Sequence, residues 1–373
     1  MLSSLSGILL TAVVFIVIIT VSVVIHELAH YFNARSVGVP VRAFSVGMGP
    51  IIWRKQWRGT EWRLSALPLG GYVDLQGLAP EQDENGELYY PDEGFMRKSF
   101  LQKFWVLIGG VLANFILAIL LIATAITATP GSNGRYFITG ETPERTGVVF
   151  QEVVPDSPAE RLGIQPGDLV ISVNGVENPD AERVRQEIQT ASELAFVLER
   201  SGERVNVRTP WPPEGAEQPL MGVGLGLTPL GTPPPLSYGA ALVKTTGFLA
   251  RIVPESVTGF VSGFGSALSG QRSETVAGPV GIVAATGQAA RGGLIPVLFF
   301  AGIINFSLGL FNALPIPGLD GGRILLSAVV ALRGKPFKPG QEEFVNFLGI
   351  AFLMFFVVLI TFGEVGDLIG IGQ

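Results

Sequence analysis

A long apolar run near the start of the chain ends in a metal-binding pattern, and this combination most constrains the fold. Residues 7–25 contain no charged side chain, and they lead directly into the sequence HELAH at 26–30. On a helix, residues i and i+4 share one face, so His26 and His30 reach one cation while Glu27 reaches a water molecule beside it. The pattern predicts two metal ligands and a general base.

The apolar setting separates this motif from a chance match. A carboxylate in the middle of a membrane helix costs roughly 2.5–3.5 kcal/mol on insertion scales, so Glu27 requires a partner or a task there. The chain contains two histidines, and both lie in the motif. We therefore interpret the motif as a metal site rather than as part of an ordinary helix.

Composition places the chain among membrane proteins with a soluble part. Charged residues make up 15% of the 373 residues, against about 25% in typical soluble domains, and the mean hydropathy is +0.45. The net charge of −6 and the pI near 5.2 argue against nucleic acid as a partner. No cysteine is present, which excludes disulfides, thiolate ligands and a cysteine nucleophile.

Four segments are long and apolar enough to span a membrane. They cover roughly residues 7–33, 104–129, 293–314 and 344–363. The first lacks the basic start and the cleavage site of a signal peptide, so we expect a retained helix. Basic residues flank the loop after the first segment and occupy the loop after the third, which places both loops in the cytoplasm. The two termini and the segment 130–292 then lie on the opposite side.

The loop after the first span contains a predicted β-hairpin at the membrane surface. Residues 43–50 and 61–67 are typical of two strands, with the turn between them at 54–59. The Trp and Arg content suits a membrane interface. Two interpretations stay open, namely a purely structural hairpin or an edge that pairs with an extended substrate.

Residues 147–228 have the pattern of a soluble α+β domain. A strand at 147–154 precedes a short helix, a strand that ends in an Asn-Gly turn, a helix at 181–190 and a hairpin. The run SPAERLGIQPGDLVISVNG resembles a bacterial PDZ domain, which binds peptides at a sheet edge. The resemblance implies a ligand groove at Gly147, Val148 and Val149, although a spacer domain without a ligand stays open.

These patterns predict four regions. Residues 1–129 contain the first two spans, the HELAH motif and the hairpin. Residues 130–228 contain the PDZ domain, with a core at about 147–209, and the start of a linker rich in Pro and Gly over 210–235. Residues 229–292 contain the rest of the linker and interfacial helices, and residues 293–373 contain the last two spans.

A catalytic zinc needs three protein ligands and an open position. With no third His and no Cys, the remaining ligand must be Asp or Glu. Asp320 follows the third apolar segment in a stretch with two prolines and three glycines, where irregular backbone at membrane depth must line protein or a cavity. We expect His26, His30 and Asp320 to hold one Zn²⁺, although Fe or Mn suits the same set. In the alternative interpretation, Asp320 is the N-cap of the following helix, and Glu364 or Asp367 is the third ligand.

Together these features resemble the site-2 proteases, a family of intramembrane zinc metalloproteases, and most of all RseP-like members with a single PDZ domain. The resemblance covers nearly the whole chain. Besides HELAH it rests on FSVGMG at 44–49, PLGGYV at 68–73, RKSF at 97–100, ANF at 113–115, GPVGI at 278–282 and NALPIPGLDG at 312–321. The last of these fits the family pattern N-x-x-P-x-P-x-x-D-G.

The resemblance implies a polytopic α-helical membrane protein with a membrane-associated β-hairpin and an inserted α+β PDZ domain. It implies a zinc endopeptidase that cuts transmembrane segments of proteins in the lipid bilayer, such as anti-sigma factors trimmed beforehand by a site-1 protease, or remnant signal peptides. The PDZ domain would bind a peptide ligand or exclude large substrates. The residues assigned to substrate binding are Gly47, Met48, Gly49, Asn312, Pro315 and Pro317.

Two features depart from the family pattern. RseP-like proteins often carry two PDZ domains, and some relatives have a second asparagine where this chain has Ser307, with Asn305 two residues earlier. Two other function classes stay open, a catalytically silent metal-binding scaffold that recruits partners through the PDZ domain and a metal transporter. We expect a multi-pass protein of the bacterial plasma membrane, or of a thylakoid or plastid membrane, with the active site toward the cytoplasm and the PDZ domain opposite.

Overall fold

The chain forms two compact units in the computed structural model, which describes residues 2–128, 135, 138–139, 145–200, 202–212, 220–230, 236–268 and 277–368. The first, the membrane unit, comprises Met1–Ala128 and Tyr238–Gln373. The second, the inserted unit, comprises Thr129–Ser237.

Helices dominate the membrane unit and strands dominate the inserted unit. In chain order the described elements are α1 (Leu2–Ser36), β1 (Val41–Trp57), β2 (Thr60–Leu75), β3 (Glu81–Gln82), β4 (Leu88–Tyr89), α2 (Phe100–Ala128), β5 (Arg145–Val153), α3 (Pro158–Arg161), β6 (Leu169–Val173), β7 (Val176–Glu177), α4 (Ala181–Thr190), β8 (Glu193–Arg200), β9 (Glu203–Pro210), β10 (Val223–Leu230), α5 (Tyr238–Leu268), α6 (Pro279–Arg291), α7 (Leu294–Ala313), α8 (Asp320–Arg333) and α9 (Gln341–Leu368). A short 3₁₀ helix precedes α2.

Four helices are long and apolar enough to cross a membrane, by length and composition. These spans are Leu5–Ser36, Phe100–Ala128, Leu294–Ala313 and Gln341–Gly366. They coincide with the four predicted segments, so the prediction of a polytopic helical membrane protein is confirmed. Among the described residues α5 is not a candidate span, and it is one continuous helix where the sequence predicts several interfacial ones.

The β1–β2 hairpin is more elaborate than the two short strands that the sequence predicts. Both strands bend back, so residues 43–46 pair with residues 61–64 on one side and with residues 71–74 on the other. The turn is only residues 58–59, because the predicted turn residues 54–57 continue the strand and remain paired. The hairpin is therefore a compact sheet rather than an open ribbon.

This sheet is fixed to α1 by aromatic packing. Phe44 is 1% exposed, and its ring centroid lies 6.0 Å from that of Tyr31, the residue that follows His30. Trp62 approaches the same Tyr31 ring at 5.2 Å. Edge-on contacts of this kind add to the free energy of burying the rings, so the sheet and the HELAH turn of α1 form one packed block.

A proline-containing break separates α7 from α8 and presents Asp320. Leu319 occupies the N-cap position of α8 and makes no side-chain cap bond, so Asp320 is the first helical residue and not the cap that the alternative interpretation required. A Cβ on Gly321 would lie 2.3 Å from the Leu314 carbonyl oxygen, and one on Gly322 would lie 2.0 Å from that of Ile316. The two glycines therefore let the break fold tightly against the start of α8.

The inserted unit contains one sheet with the strand order β10-β5-β6-β8-β9, with β7 paired to β6. The predicted helix at 181–190 matches α4, and Asp180 caps its N-terminus by accepting the Arg183 N–H with its side chain. Part of the predicted linker is wrong, because residues 223–230 form β10 and pair with β5. Glycine takes alternate positions in the first half of this strand, where polar residues are usual. The sequence therefore lacks the apolar–polar alternation that predicts a strand.

The predicted peptide groove at Gly147, Val148 and Val149 is not a free strand edge. On one side these residues of β5 pair with residues 226–228 of β10, and on the other Val148 and Val149 pair with β6. Both edges of the strand are occupied, so an added peptide strand has no backbone groups to bind there. The prediction is therefore corrected, and the outer strands of the sheet are β10, which is next to β5, and β9 at the far end.

An ion pair stabilises the inserted unit. Asp168 is 0% exposed, and two Arg200 nitrogens donate to its carboxylate at 2.7 Å, as does the Gln165 N–H at 2.9 Å. Burial alone would raise the pKa of Asp168, but these bonds outweigh it and lower the pKa. The stabilisation is therefore present above the unfolded pKa of about 3.9 and is lost as the pH falls through the lower folded pKa.

Replacing Asp168 with Asn is expected to destabilise the inserted unit by about 1–3 kcal/mol, because it removes the carboxylate that balances the charge of the partly exposed Arg200 and leaves the Gly163 carbonyl as its neutral partner. Hydrogen exchange of the β6 and β8 amides in the full-length protein at pH 7 would measure the loss. Glu177→Gln, an exposed change in β7, is the control. Equal protection in both variants would contradict the prediction.

Candidate metal centre and active-site cavity

His26 and His30 lie one turn apart on α1, and the break before α8 brings Asp320 against them. His26 Nε2 lies 3.0 Å from Asp320 Oδ2, and His30 Nε2 lies 3.3 Å from it. The two Nε2 atoms are 2.9 Å apart, and both imidazoles are buried. Within the described ranges no other group of three or more His, Cys, Asp or Glu ligand atoms converges in this way.

The three ligand atoms fit a divalent cation. Atoms that bind a tetrahedral zinc at about 2.0–2.2 Å lie roughly 3.3–3.6 Å from one another, slightly farther than the separations here. Two imidazoles and one carboxylate form a donor set that leaves a fourth position open for water or substrate. Without a cation or a shared proton, the lone pairs of the two Nε2 atoms and of Asp320 Oδ2 would repel one another at these distances. The donor chemistry therefore matches the predicted zinc site.

Gly110 of α2 keeps the space between the ligands open. A Cβ at this position would lie 2.5 Å from His30 Nε2 and 2.6 Å from His26 Nε2, closer than a carbon atom normally approaches either nitrogen. Any side chain would therefore enter the volume that a bound cation needs. No local sequence pattern marks Gly110, because its role depends on how α2 packs on α1.

A backbone group of α2 sets the orientation of the His30 ring. His30 Nδ1 lies 2.8 Å from the Val106 carbonyl oxygen. A carbonyl oxygen only accepts hydrogen bonds, so Nδ1 carries the proton and Nε2 presents its lone pair to the metal position. This second contact of His30 is a backbone interaction that the sequence did not reveal.

The hairpin positions Glu27 beside the histidines. The Val73 N–H of β2 donates to Glu27 Oε2 at 3.0 Å, and both residues line the cavity that contains the metal ligands. The bond restricts the carboxylate to one orientation next to the proposed metal. A carboxylate held there is placed to accept a proton from water in the cavity.

A cavity of about 330 Å³ contains the site. Asn312, Gly318 and Asp320 form the wall from the α7–α8 segment, and Tyr72 and Val73 form the wall from the hairpin. One turn of a helix that is about 10 Å wide and 5.4 Å long occupies about 420 Å³, so the cavity is too small for a folded helix with its side chains and admits only a short extended stretch.

Of the predicted substrate-binding residues, Asn312 lines this cavity and the others do not. Those outside its wall are Gly47, Met48, Gly49, Pro315 and Pro317. Met48 pairs with Leu67 in the hairpin and is 46% exposed. Pro317 packs against α9, where a Cβ on Gly349 would clash with its carbonyl oxygen. The hairpin residues that reach the cavity, Tyr72, Val73 and Leu75, lie on the other strand.

Glu364, an alternative ligand in the sequence analysis, has a different role. Its carboxylate accepts the N–H groups of Gly278, Val280 and Gly281 at 2.8–3.0 Å and so caps the N-terminus of α6. It is not a member of the convergent ligand group. The side chain of Asp367, the other alternative, lies outside the described residues.

Known proteins resemble this chain along nearly its whole length. The family model described as peptidase family M50 matches residues 14–356. A protein of Agrobacterium fabrum, provisionally named a zinc metalloprotease, is 30% identical over 374 residues, which cover 95% of this chain and 96% of that protein. A similarly named protein of Nostoc is 31% identical over 355 residues, covering 91% of each. Zinc metalloprotease RasP of Shouchella clausii is 26% identical over 435 residues, covering 96% of this chain and 99% of its own.

Proposed function

The chain belongs to peptidase family M50, and from this premise we propose that His26, His30 and Asp320 hold its zinc and that Glu27 is its general base. Membership makes the protein a zinc-dependent protease that acts within the membrane on transmembrane protein substrates. The convergence of the three ligand atoms within 2.9–3.3 Å of one another carries the assignment. No observation favours the scaffold or the transporter interpretation.

The mechanism follows from the position of each side chain. A zinc ion held by His26, His30 and Asp320 would polarise the scissile carbonyl and lower the pKa of water at the site. Glu27, oriented by the Val73 N–H, takes a proton from the attacking water and passes it to the leaving amine. The Val106 carbonyl keeps His30 in the tautomer that presents Nε2.

The substrate enters this site as an extended segment. Asn312 lines the cavity, and its amide is placed to bind a peptide group of the substrate near the zinc. Gly47, Met48 and Gly49 then guide the unwound chain along the hairpin at a distance from the reacting bond. Pro315 and Pro317, in the break before Asp320, contact the substrate outside the cavity wall.

The inserted unit is a PDZ domain, spanning about 130–228 with its core at 147–209 in the predicted division. Its peptide-binding edge is β10, because β10 is an outer strand of the sheet and the helix α4 contacts it. This edge replaces the groove predicted at β5. The domain binds a peptide end or restricts access of large substrates.

The protein is oriented with its active site toward the cytoplasm. The positive-inside rule places the HELAH end of α1 and the α7–α8 break on the cytoplasmic side, and the PDZ domain on the opposite side. The membrane is the bacterial plasma membrane, with a thylakoid or plastid membrane as the alternative. The substrates are single-span proteins such as anti-sigma factors trimmed by a site-1 protease, or remnant signal peptides.

Removing the metal should abolish cleavage. Purified protein in detergent is expected to cut a model single-span substrate, to lose at least about 100-fold of that rate after zinc chelation, and to regain it when stoichiometric zinc is restored. Gel analysis of the cleaved substrate together with zinc quantification would measure both. Full activity in protein shown to be free of metal would contradict the proposed function.

A further inference from the structure

Asn114 of α2 is a buried amide beside the metal centre, and the mechanism above does not use it. It is 1% exposed, and its amide lies 3.2 Å from His26 Nδ1. We propose that Asn114 is a positioning residue that accepts the proton of His26 Nδ1 and so directs the Nε2 lone pair at the zinc. The inference rests on the proposed zinc site and adds a residue to it.

The protonation of His26 follows from its geometry. Nε2 is the atom that faces His30 Nε2 and Asp320 Oδ2, at 2.9 and 3.0 Å, so Nε2 is the ligating atom. A neutral imidazole carries one proton, which must then lie on Nδ1 and needs an acceptor. The Asn114 amide is the partner within hydrogen-bonding distance of that nitrogen.

The amide has an oxygen available for this role. With Nδ2 directed at His26, Asn114 Oδ1 is buried and has no hydrogen-bond partner within the part of the chain that the structure describes. A rotation of 180° about the last side-chain bond exchanges the oxygen and the nitrogen, and the hydrogen-bond network decides between the two orientations. The rotated amide brings its oxygen to the Nδ1 proton and removes the unpaired buried acceptor.

The spacing on α2 supports the same role. Val106, Gly110 and Asn114 are separated by four residues each, so they form one stripe along a single face of the helix. The Val106 carbonyl holds His30, Gly110 leaves room for the cation, and Asn114 holds His26. One face of α2 thus provides an acceptor for each ligating ring and the space between them.

Zinc affinity, measured by chelator competition on full-length protein in detergent, tests the proposal. Asn114→Leu keeps the branched shape of the side chain but removes the acceptor, and it should weaken zinc binding by about 10–100-fold. Asn114→Asp supplies a stronger acceptor and should bind zinc at least as tightly as wild type. With Co²⁺ in place of zinc, the visible absorption bands should change in the Leu variant and match wild type in the Asp variant.

Asn305→Leu is the matched control. Asn305 is also 1% exposed and also has an unpaired buried Oδ1, but its Nδ2 donates to Ser22 Oγ and the Ala301 carbonyl rather than facing a histidine. The loss of a buried amide should lower its thermal stability while zinc affinity stays at the wild-type value. This separates positioning of His26 from general support of the helices.

Wild-type zinc affinity in Asn114→Leu, or an equal loss in the Leu and Asp variants, would overturn the proposal. If the Leu variant does not fold, the Asp variant still decides, because a tenfold weaker affinity there would also overturn it. His30→Ala tests the underlying site separately. If zinc binding were unchanged in His30→Ala, the proposed metal site would fail and the Asn114 inference with it.

Discussion

Replacing Glu27 with Gln is expected to slow peptide-bond cleavage by about 10²–10⁴-fold, the usual contribution of a general base. Glutamine has nearly the same shape, and its oxygen can still accept the Val73 N–H, but it takes no proton from water. The three ligand side chains are unchanged, so the zinc content should remain one per chain. Initial cleavage rates of a single-span substrate and zinc quantification on the same preparation would measure both effects.

The matched control for this change is Glu255→Gln. Glu255 lies on α5 and is exposed, so the substitution removes the same charge from a helix outside the site and should leave the cleavage rate unchanged. Cleavage by Glu27→Gln at the wild-type rate would show that another group is the base. Loss of zinc from that variant would instead assign Glu27 to metal binding.

Replacing Gly110 with Ala is expected to eliminate zinc binding, and cleavage with it, through a single added methyl group. That carbon would lie 2.5–2.6 Å from the two Nε2 atoms, so it competes with the cation for the same space. Relief would require α2 to move away from α1, and overpacking of this kind typically costs about 1–3 kcal/mol. Zinc per chain should fall from one to near zero in protein that still elutes as a folded species.

Gly7→Ala is the control for the effect of alanine in a membrane helix. Gly7 lies in α1, and a Cβ there would contact nothing within 4 Å, so zinc content and cleavage should both stay at wild-type values. A Gly110→Ala variant with one tightly bound zinc per chain would contradict the assigned position of the metal. Co²⁺ absorption of that variant would then show whether the ligand set has changed.

The sequence could predict the residues of this site that depend on helix spacing, and the one ligand for which few candidate carboxylates exist in the apolar segments. His26 and His30 share a helix face because of their spacing, and Asp320 remained as the carboxylate placed in an apolar break. Gly110 and Asn114 could not be assigned roles, because their contacts depend on the angle and register at which α2 packs on α1. No periodic pattern along one chain segment contains that information.

The sheets show the same division between local and non-local information. The two-residue turn of the hairpin and the helix α4 follow from short patterns, although the turn was placed too broadly. In contrast, β10 lies in a stretch rich in glycine and proline, and it became a strand because β5 offers a partner edge. The predicted peptide groove was wrong for the same reason. Whether β5 is an edge strand depends on the pairing of β10, which lies about 70 residues later in the chain.

The distance along the chain between the two histidines and Asp320 has a consequence for biogenesis. Synthesis proceeds from the N-terminus, so the helix with HELAH is made long before the segment that supplies Asp320. A nascent or truncated copy that stops before residue 320 therefore lacks one of the three proposed ligands, and its proposed metal centre is incomplete. Cleavage then requires translation and insertion of the chain at least through Asp320.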